Sequence, residues 1–353
     1  MRSARAWRLL AVAAVLTMVA TACGGDEPAA GPTAGGMATG PTELNVAMIF
    51  LNTVEEPYNT SFLQSWERVA AAKPHGLTVN YEYTENVAPP DAERVLRELA
   101  NSGKYQMIFA HSTYSDQVKV LKDEFLDIAW GFTGSGNEGL GGNAYWLDVF
   151  VHEPAYLMGI IAGSMTKSNV IGAVAAFPFP NVNLPLNGYI EGAKSVNSDL
   201  VAKATYIESW FDPPKAKESA TAQISAGADF IYAERFGPFE AVTEKPGTYA
   251  FGHFVDQSSL APQVVVTSAI AKWDPSILEA IDGWWAHAAE GAAYNAPTDR
   301  IVFLMKEGGS DLAPFHDLDG AIPQEVKDAV DKAKADIMSG ALVVAMNEKP
   351  VTG

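Results

Sequence analysis

The chain contains a single cysteine among 353 residues. Cys23 therefore has no internal disulfide partner, and the body of the chain has no thiol to act as a nucleophile. The histidines, at 75, 111, 152, 253, 287 and 316, are scattered, and none shows the paired spacing of a zinc site. There is no Gly-x-Ser-x-Gly elbow and no phosphate-binding P-loop. Gly134 to Gly139 (GSGNEG) matches the dinucleotide fingerprint letter for letter. The Leu140-Gly141-Gly142-Asn143 behind it is too glycine-rich to open a helix, so the stretch reads as a loop. Acid pairs such as Glu55-Glu56 occur, yet nothing singles out a general acid and a base. Basic residues are few: 24 Lys and Arg stand against 42 Asp and Glu, a formal net charge of −18. That balance argues against nucleic-acid binding and against a polybasic membrane patch. After the N-terminal segment, no apolar run is long enough to span a bilayer.

The N-terminal segment has a distinct grammar. Arg2, Arg5 and Arg8 precede an apolar run from Leu9 to Ala20, followed by Thr21-Ala22-Cys23-Gly24-Gly25. A basic region, a short apolar stretch and small residues at the cut make a secretory signal over 1–22. Cys23 at that boundary resembles the lipobox cysteine of bacterial lipoproteins, with Ala20 where leucine is usual. Its acylation would tether the protein to the outer face of a membrane. Residues 23–42, rich in Gly, Ala, Pro and Thr, have no apolar period and read as a flexible tether.

The remaining residues exceed one ordinary core and suit two domains. Leu44 to Leu51 is a continuous apolar run, as a strand buried on both faces requires. Strands over Leu77 to Tyr83, Gln106 to Ala110, Asp127 to Phe132 and Tyr145 to Val151 alternate with helices that turn Phe62, Trp66, Leu96, Val118 and Leu121 inward. The pattern then restarts with a helix from Pro154 to Met165 and a strand from Val170 to Ala176. A Pro/Asn-rich loop is expected over Phe177 to Pro185. Strands over Val201 to Ile207, Phe230 to Ala233, Thr248 to Phe251 and Val264 to Ile270 follow, with a C-terminal helix stopped at Gly340. This is an α/β chain of two doubly wound parallel-sheet lobes with a cleft between them. Lobe 1 is expected to take 43–150 and about 270–300, and lobe 2 to take 151–269 and about 301–345.

Aromatic and amide residues recur just after the strands: Tyr58 with Asn59, Ser112 with Tyr114, Phe179 with Asn181 and Asn183, Trp210 with Phe211, and Arg235 with Phe236. Trp210 and Phe211 lie between a strand and a helix that Asp212 caps and Pro213 opens. Such a pair either plugs the gap between helix and sheet or lines a cleft, since open α/β sheets bind ligands at the carboxyl ends of their strands. A cleft lined by rings and amides suits a flat, hydrogen-bonding molecule.

Several stretches together resemble the Bmp/Med family of basic-membrane-protein-like lipoproteins, the purine nucleoside receptors of ABC importers. They are the lipobox, Gly227 to Tyr232 (GADFIY), Asp256-Gln257 with Leu260-Ala261-Pro262, Lys306-Glu307-Gly308 leading to Ala313-Pro314-Phe315, and Ile337 to Gly340. The resemblance covers Leu44 to Leu342. It implies a type I periplasmic-binding fold that closes on its ligand, an ABC permease as partner, no catalysis and no metal; the chain is further expected to be a monomer without a cofactor. Nucleoside-binding members carry an Asn-Asp-Lys-Ser-Phe-Asn-like loop where this chain has Val54 to Asn59. They place a ribose-binding aspartate where this chain has Phe254, and a lysine where it has Ala271 beside Lys272. Glu85 to Ala88, Asp91 to Arg94 and Trp210 to Pro213 are similar to the branch that accommodates a free purine base such as adenine.

The expected site is therefore Tyr58, Trp210 and Phe236 as stacking rings, with Glu55, Asn59, Ser112, Tyr114, Asn183 and Asp256 around the ligand's edge. Two other readings stay open at this point: an extracytoplasmic hydrolase acting on nucleosides, and a ligand sensor for a membrane partner.

Overall fold

The computed structural model describes residues 40–351. The signal segment, Cys23 and nearly all of the tether expected over 23–42 lie outside the described residues.

Five parallel strands form the first sheet: β1 (Glu43–Phe50), β2 (Thr78–Thr84), β3 (Met107–His111), β4 (Ala129–Thr133) and β5 (Ala144–Leu147), in the order β2-β1-β3-β4-β5. Its central strands β3 and β4 are buried along their whole length, which is why they read as unbroken apolar runs. Helix α1 (Pro57–Ala72) lays Phe62, Trp66 and Val69 on one face. On the other, α2 (Pro89–Asn101) and α3 (Ser115–Leu121) contribute Leu96, Val118 and Leu121. The GSGNEG stretch lies in the loop between β4 and β5.

The second sheet has six strands: β6 (Val170–Ala175), β7 (Val201–Tyr206), β8 (Phe230–Ala233), β9 (Tyr249–Phe254), β10 (Val265–Ala271) and β11 (Ser310–Leu312). Their order is β11-β10-β9-β8-β6-β7, and β11 alone is antiparallel. Helices α4 (His152–Met165), α5 (Pro180–Val196) and α9 (Gln324–Ser339) cover one face, while α6 (Pro213–Ser225) and α7 (Pro238–Thr243) cover the other. Helices α4 and α5 touch backbone to backbone. A Cβ on Gly192 would come 1.9 Å from the Tyr156 carbonyl oxygen, so glycine is the only residue that permits the contact.

The expected loop over Phe177 to Pro185 is mostly helix. Pro180 sits at the first helical position, where its missing N–H costs nothing, and α5 then runs through Pro185. The proline signal marked a helix start and was read as a break.

The chain passes between the sheets three times. It leaves the first after β5, and the Asp148 N–H there donates to the Ile301 carbonyl at 3.0 Å. It returns after β10 at Trp273, whose backbone N–H donates to Ser65 Oγ at 3.0 Å and whose indole donates to Ser61 Oγ at 3.0 Å, both on α1. Helix α8 (Asp274–Glu290) then packs beside α1 in the first lobe, and the Arg68–Asp274 ion pair joins the two. The third passage runs from Ile301 to Met305, whose N–H donates to Glu153 of α4 at 2.8 Å.

Candidate ligand cleft

Both sheets point the carboxyl ends of their strands at one shared cleft. In each sheet it lies where the strand order reverses, beside β1 and β3 in the first and beside β6 and β8 in the second. The first lobe supplies Asn52, Glu56, Tyr58, Asn59, His111, Ser112, Thr133 and Gly134. From the second come Asn181, Val182, Trp210, Glu234, Arg235 and Phe254.

The first wall is a stack of neutral rings. Phe62 and Tyr58 sandwich the His111 imidazole, with centroids 4.1 Å and 4.5 Å away at interplanar angles of 19° and 25°. Burial pushes His111 down to about 3, so the imidazole is neutral at ordinary pH. The Tyr58 hydroxyl donates to Thr133 Oγ1 at 3.1 Å, and Thr133 Oγ1 lies 3.0 Å from His111 Nδ1. The other ring nitrogen, Nε2, is buried with no side-chain or backbone hydrogen-bond partner within bonding geometry. Gly134, at φ +82°, allows this packing: a Cβ there would lie 2.9 Å from the Tyr58 hydroxyl.

The second wall is charged. Arg235 follows β8 and is buried beside Glu234. Its Nε and Nη2 donate to the two Glu234 carboxylate oxygens at 2.9 and 2.8 Å. Its Nη1 donates to the Trp210 carbonyl at 2.9 Å, and the guanidinium lies 5.8 Å from the Trp210 ring. The same Nη1 reaches across the cleft to Glu56 Oε1 at 3.1 Å. Burial raises Glu234 above its ordinary value, although Arg235 opposes the rise. His253, held well below its ordinary value chiefly by burial, accepts from or donates to the Tyr232 hydroxyl at 2.6 Å. Asn181 Oδ1, at the start of α5, is a second buried atom with no partner. Phe254 closes the floor against Tyr58, centroids 5.4 Å apart, with its backbone at φ +63°.

Of the residues expected from sequence, the structure brings Tyr58, Asn59, Ser112 and Trp210 together in this cleft. The others lie elsewhere. Glu55 is exposed, and its neighbour Glu56 turns into the cleft from the position capping α1. Tyr114 is core on the far face of the sheet, its hydroxyl donating to the Val87 carbonyl at 2.5 Å. Asn183 is committed to the carbonyls of Pro178 and Glu348 and to the Tyr206 hydroxyl. Phe236 stacks on Phe211 and lines a separate shallow groove with Pro213 and Leu260. Asp256 is exposed and bound to His316 Nε2 at 2.6 Å. Lys272 pairs with Asp311 outside the cleft lining. Among the described residues no group of His, Cys, Asp and Glu is arranged to hold a metal.

Sequence reasoning passed over Glu56 and Glu234, and it noted His111, Asn181 and Arg235 after strands without including them in the expected site. The one usable signal was Glu234-Arg235 directly after the buried strand Phe230 to Ala233, since opposite charges entering a core together imply pairing.

The chain is similar to known proteins over most of its length. Residues 44–294 match the family model for Bmp, described as ABC transporter substrate-binding protein PnrA-like. A purine-binding protein of Brucella abortus is 28% identical over 87% of this chain and 85% of its own. A putative ABC transporter glucose-binding protein of Haloferax volcanii is 29% identical over 88% of this chain and 76% of its own. The crystal structure of an ABC transporter solute-binding protein from Aeropyrum pernix superposes with a TM-score of 0.68 at 19% identity, covering 86% of this chain and 94% of that one. Solute-binding proteins of ABC transporters capture and release their cargo outside the cytoplasm and are not enzymes. No helix among the described residues is long and apolar enough to cross a membrane. With the two sheets, three crossovers and shared cleft, the match makes the chain a member of the Bmp family of ABC transporter substrate-binding proteins.

Proposed function

We propose that this protein captures a purine-type base, adenine-like and without its sugar, and delivers it to the permease subunits of an ABC importer. In this reading it works as a monomer held at the outer face of the membrane by a lipid on Cys23. The observation that carries the ligand class is the pairing of flat rings with unmet hydrogen-bonding atoms. Tyr58 and Trp210 bring rings to the cleft from opposite lobes, while His111 Nε2 and the acceptor Asn181 Oδ1, both buried without partners, belong to residues of the cleft wall. An unpaired buried polar group costs about 1–3 kcal/mol. A heterocycle whose edge carries both donors and acceptors relieves both.

Phe254 supports the absence of a sugar. It stands where the nucleoside-binding pattern has a ribose-binding aspartate, and it narrows the cleft floor against Tyr58. Ribose hydroxyls would meet a ring there. The name of the Brucella relative agrees with a purine ligand, whereas the Haloferax relative is named for glucose. Thermal unfolding with adenine, adenosine and glucose separates these readings. A ligand at 100 times its dissociation constant adds about 2.7 kcal/mol of stability. Stabilisation by adenine that exceeds that by adenosine, with none from glucose, is expected. Stabilisation by glucose alone overturns the assignment, and release of free base from adenosine would restore the hydrolase reading.

A further inference from the structure

The cleft wall contains a contact that belongs to neither lobe alone. Glu56 and Arg235 come from the N-cap position of α1 in the first lobe and the turn after β8 in the second, and both side chains are 7% exposed. Of the ion pairs among the described residues, this is the one that joins the lobes away from the three crossover segments. Its partners are unequally supported. The Arg235 guanidinium is fixed from within its own lobe by both Glu234 oxygens and by the Trp210 carbonyl. Within its lobe, Glu56 receives Asn52 Nδ2 on Oε2 at 3.0 Å. Only the bond between Nη1 and Oε1 crosses the cleft.

That asymmetry is what a reversible contact needs. When the lobes separate, Arg235 stays neutralised by Glu234 and keeps its orientation, so no buried cation is stranded. Glu56 returns to water with Asn52 still in reach. When the lobes close, the carboxylate meets a guanidinium already aimed at it, and little side-chain freedom remains to be lost on the Arg235 side. Two carboxylates around one guanidinium also mean that lobe 2 is content without Glu56, whereas Glu56 buried without Arg235 is not.

We propose that Glu56 and Arg235 are the catch of the two-lobed clamp, setting the balance between its open and closed forms. The inference rests on the two-lobe binding fold and not on the identity of the ligand. Lobe separation can be read in the full-length chain carrying Cys23→Ser, with spin labels on cysteines introduced at two exposed positions, Arg94→Cys on α2 and Lys332→Cys on α9. Distances are recorded without added ligand and with adenine or glucose. Glu56→Ala is expected to raise the ratio of the long-distance to the short-distance population about tenfold in every sample. Glu56→Gln, which keeps the shape and a neutral hydrogen bond, is expected to raise it about threefold. A contact that only stabilises the fold would lower the melting temperature and leave the distances unmoved. Distance distributions identical to those of the parent chain in the Gln variant overturn the proposal, and that variant serves if the Ala variant fails to fold. Failure of adenine to shift any sample would count against the purine reading alone.

Discussion

The two walls of the cleft are built on opposite principles. On the first lobe, Phe62, His111 and Tyr58 form a neutral stack tied by Thr133, with no formal charge in it. On the second, Trp210 is half-buried and lies over a guanidinium held between carboxylates. The stack is part of the hydrophobic core and moves only with it. The charged wall hangs from turns after β7 and β8, and its strongest bonds are local, so it can separate from its counterpart as a unit. One lobe is a fixed platform; the other carries the clasp.

The contrast can be broken from the platform side first. Phe62 is fully buried and lies flat on His111, so Phe62→Ala should cost about 3–5 kcal/mol of folding stability in denaturant titrations. No such loss is expected on the other wall, because Trp210 is only half-buried. Trp210→Ala should instead weaken adenine binding at least tenfold by calorimetry while leaving the protein folded.

The hinge side sharpens the comparison through pH. Burial pushes Asp148, in the first crossover, up to about 7, with Arg300 only 3.5 Å away to oppose the shift. A carboxyl whose folded value exceeds its unfolded one favours the fold when protonated. That contribution is complete below about pH 4 and is lost as pH rises through about 7. Asp148→Asn should therefore gain stability at about pH 8 relative to about pH 5, by on the order of 1–2 kcal/mol. A parallel pH profile for the two proteins would place the proton elsewhere. The smallest effect is expected at Phe236, which packs outside the cleft: Phe236→Ala should change adenine affinity less than about twofold.

The architecture was legible because its causes are local. Buried parallel strands show as apolar runs, and Asp212-Pro213 carries its own helix-start signal, the cap and first position of α6. The position of a residue after a strand likewise put Tyr58, Asn59, Ser112 and Trp210 at the cleft. The misses have long-range causes. Choosing Glu56 over Glu55 requires the rotation of α1 about its first turn, which tertiary packing sets. Asn183 and Asn181 look alike in sequence, but Asn183 is taken by a carbonyl 165 residues away. Asp256 is likewise bound by His316, 60 residues on. Tyr114 shares its strand-end position with Ser112, yet the turn between them sends it to the opposite face.

The return of the chain at Trp273 has a consequence for how the protein acquires its shape. Ser61 and Ser65 of α1 wait for hydrogen bonds from a residue more than 200 positions downstream, at separations of 212 and 208. Until α8 arrives, one face of the first sheet lacks part of its cover, although all five of its strands have already been made. Contacts of such span must be reached by loop closure before they repay it, and they slow folding. The first lobe is therefore completed only by a segment that the chain reaches after building most of the second.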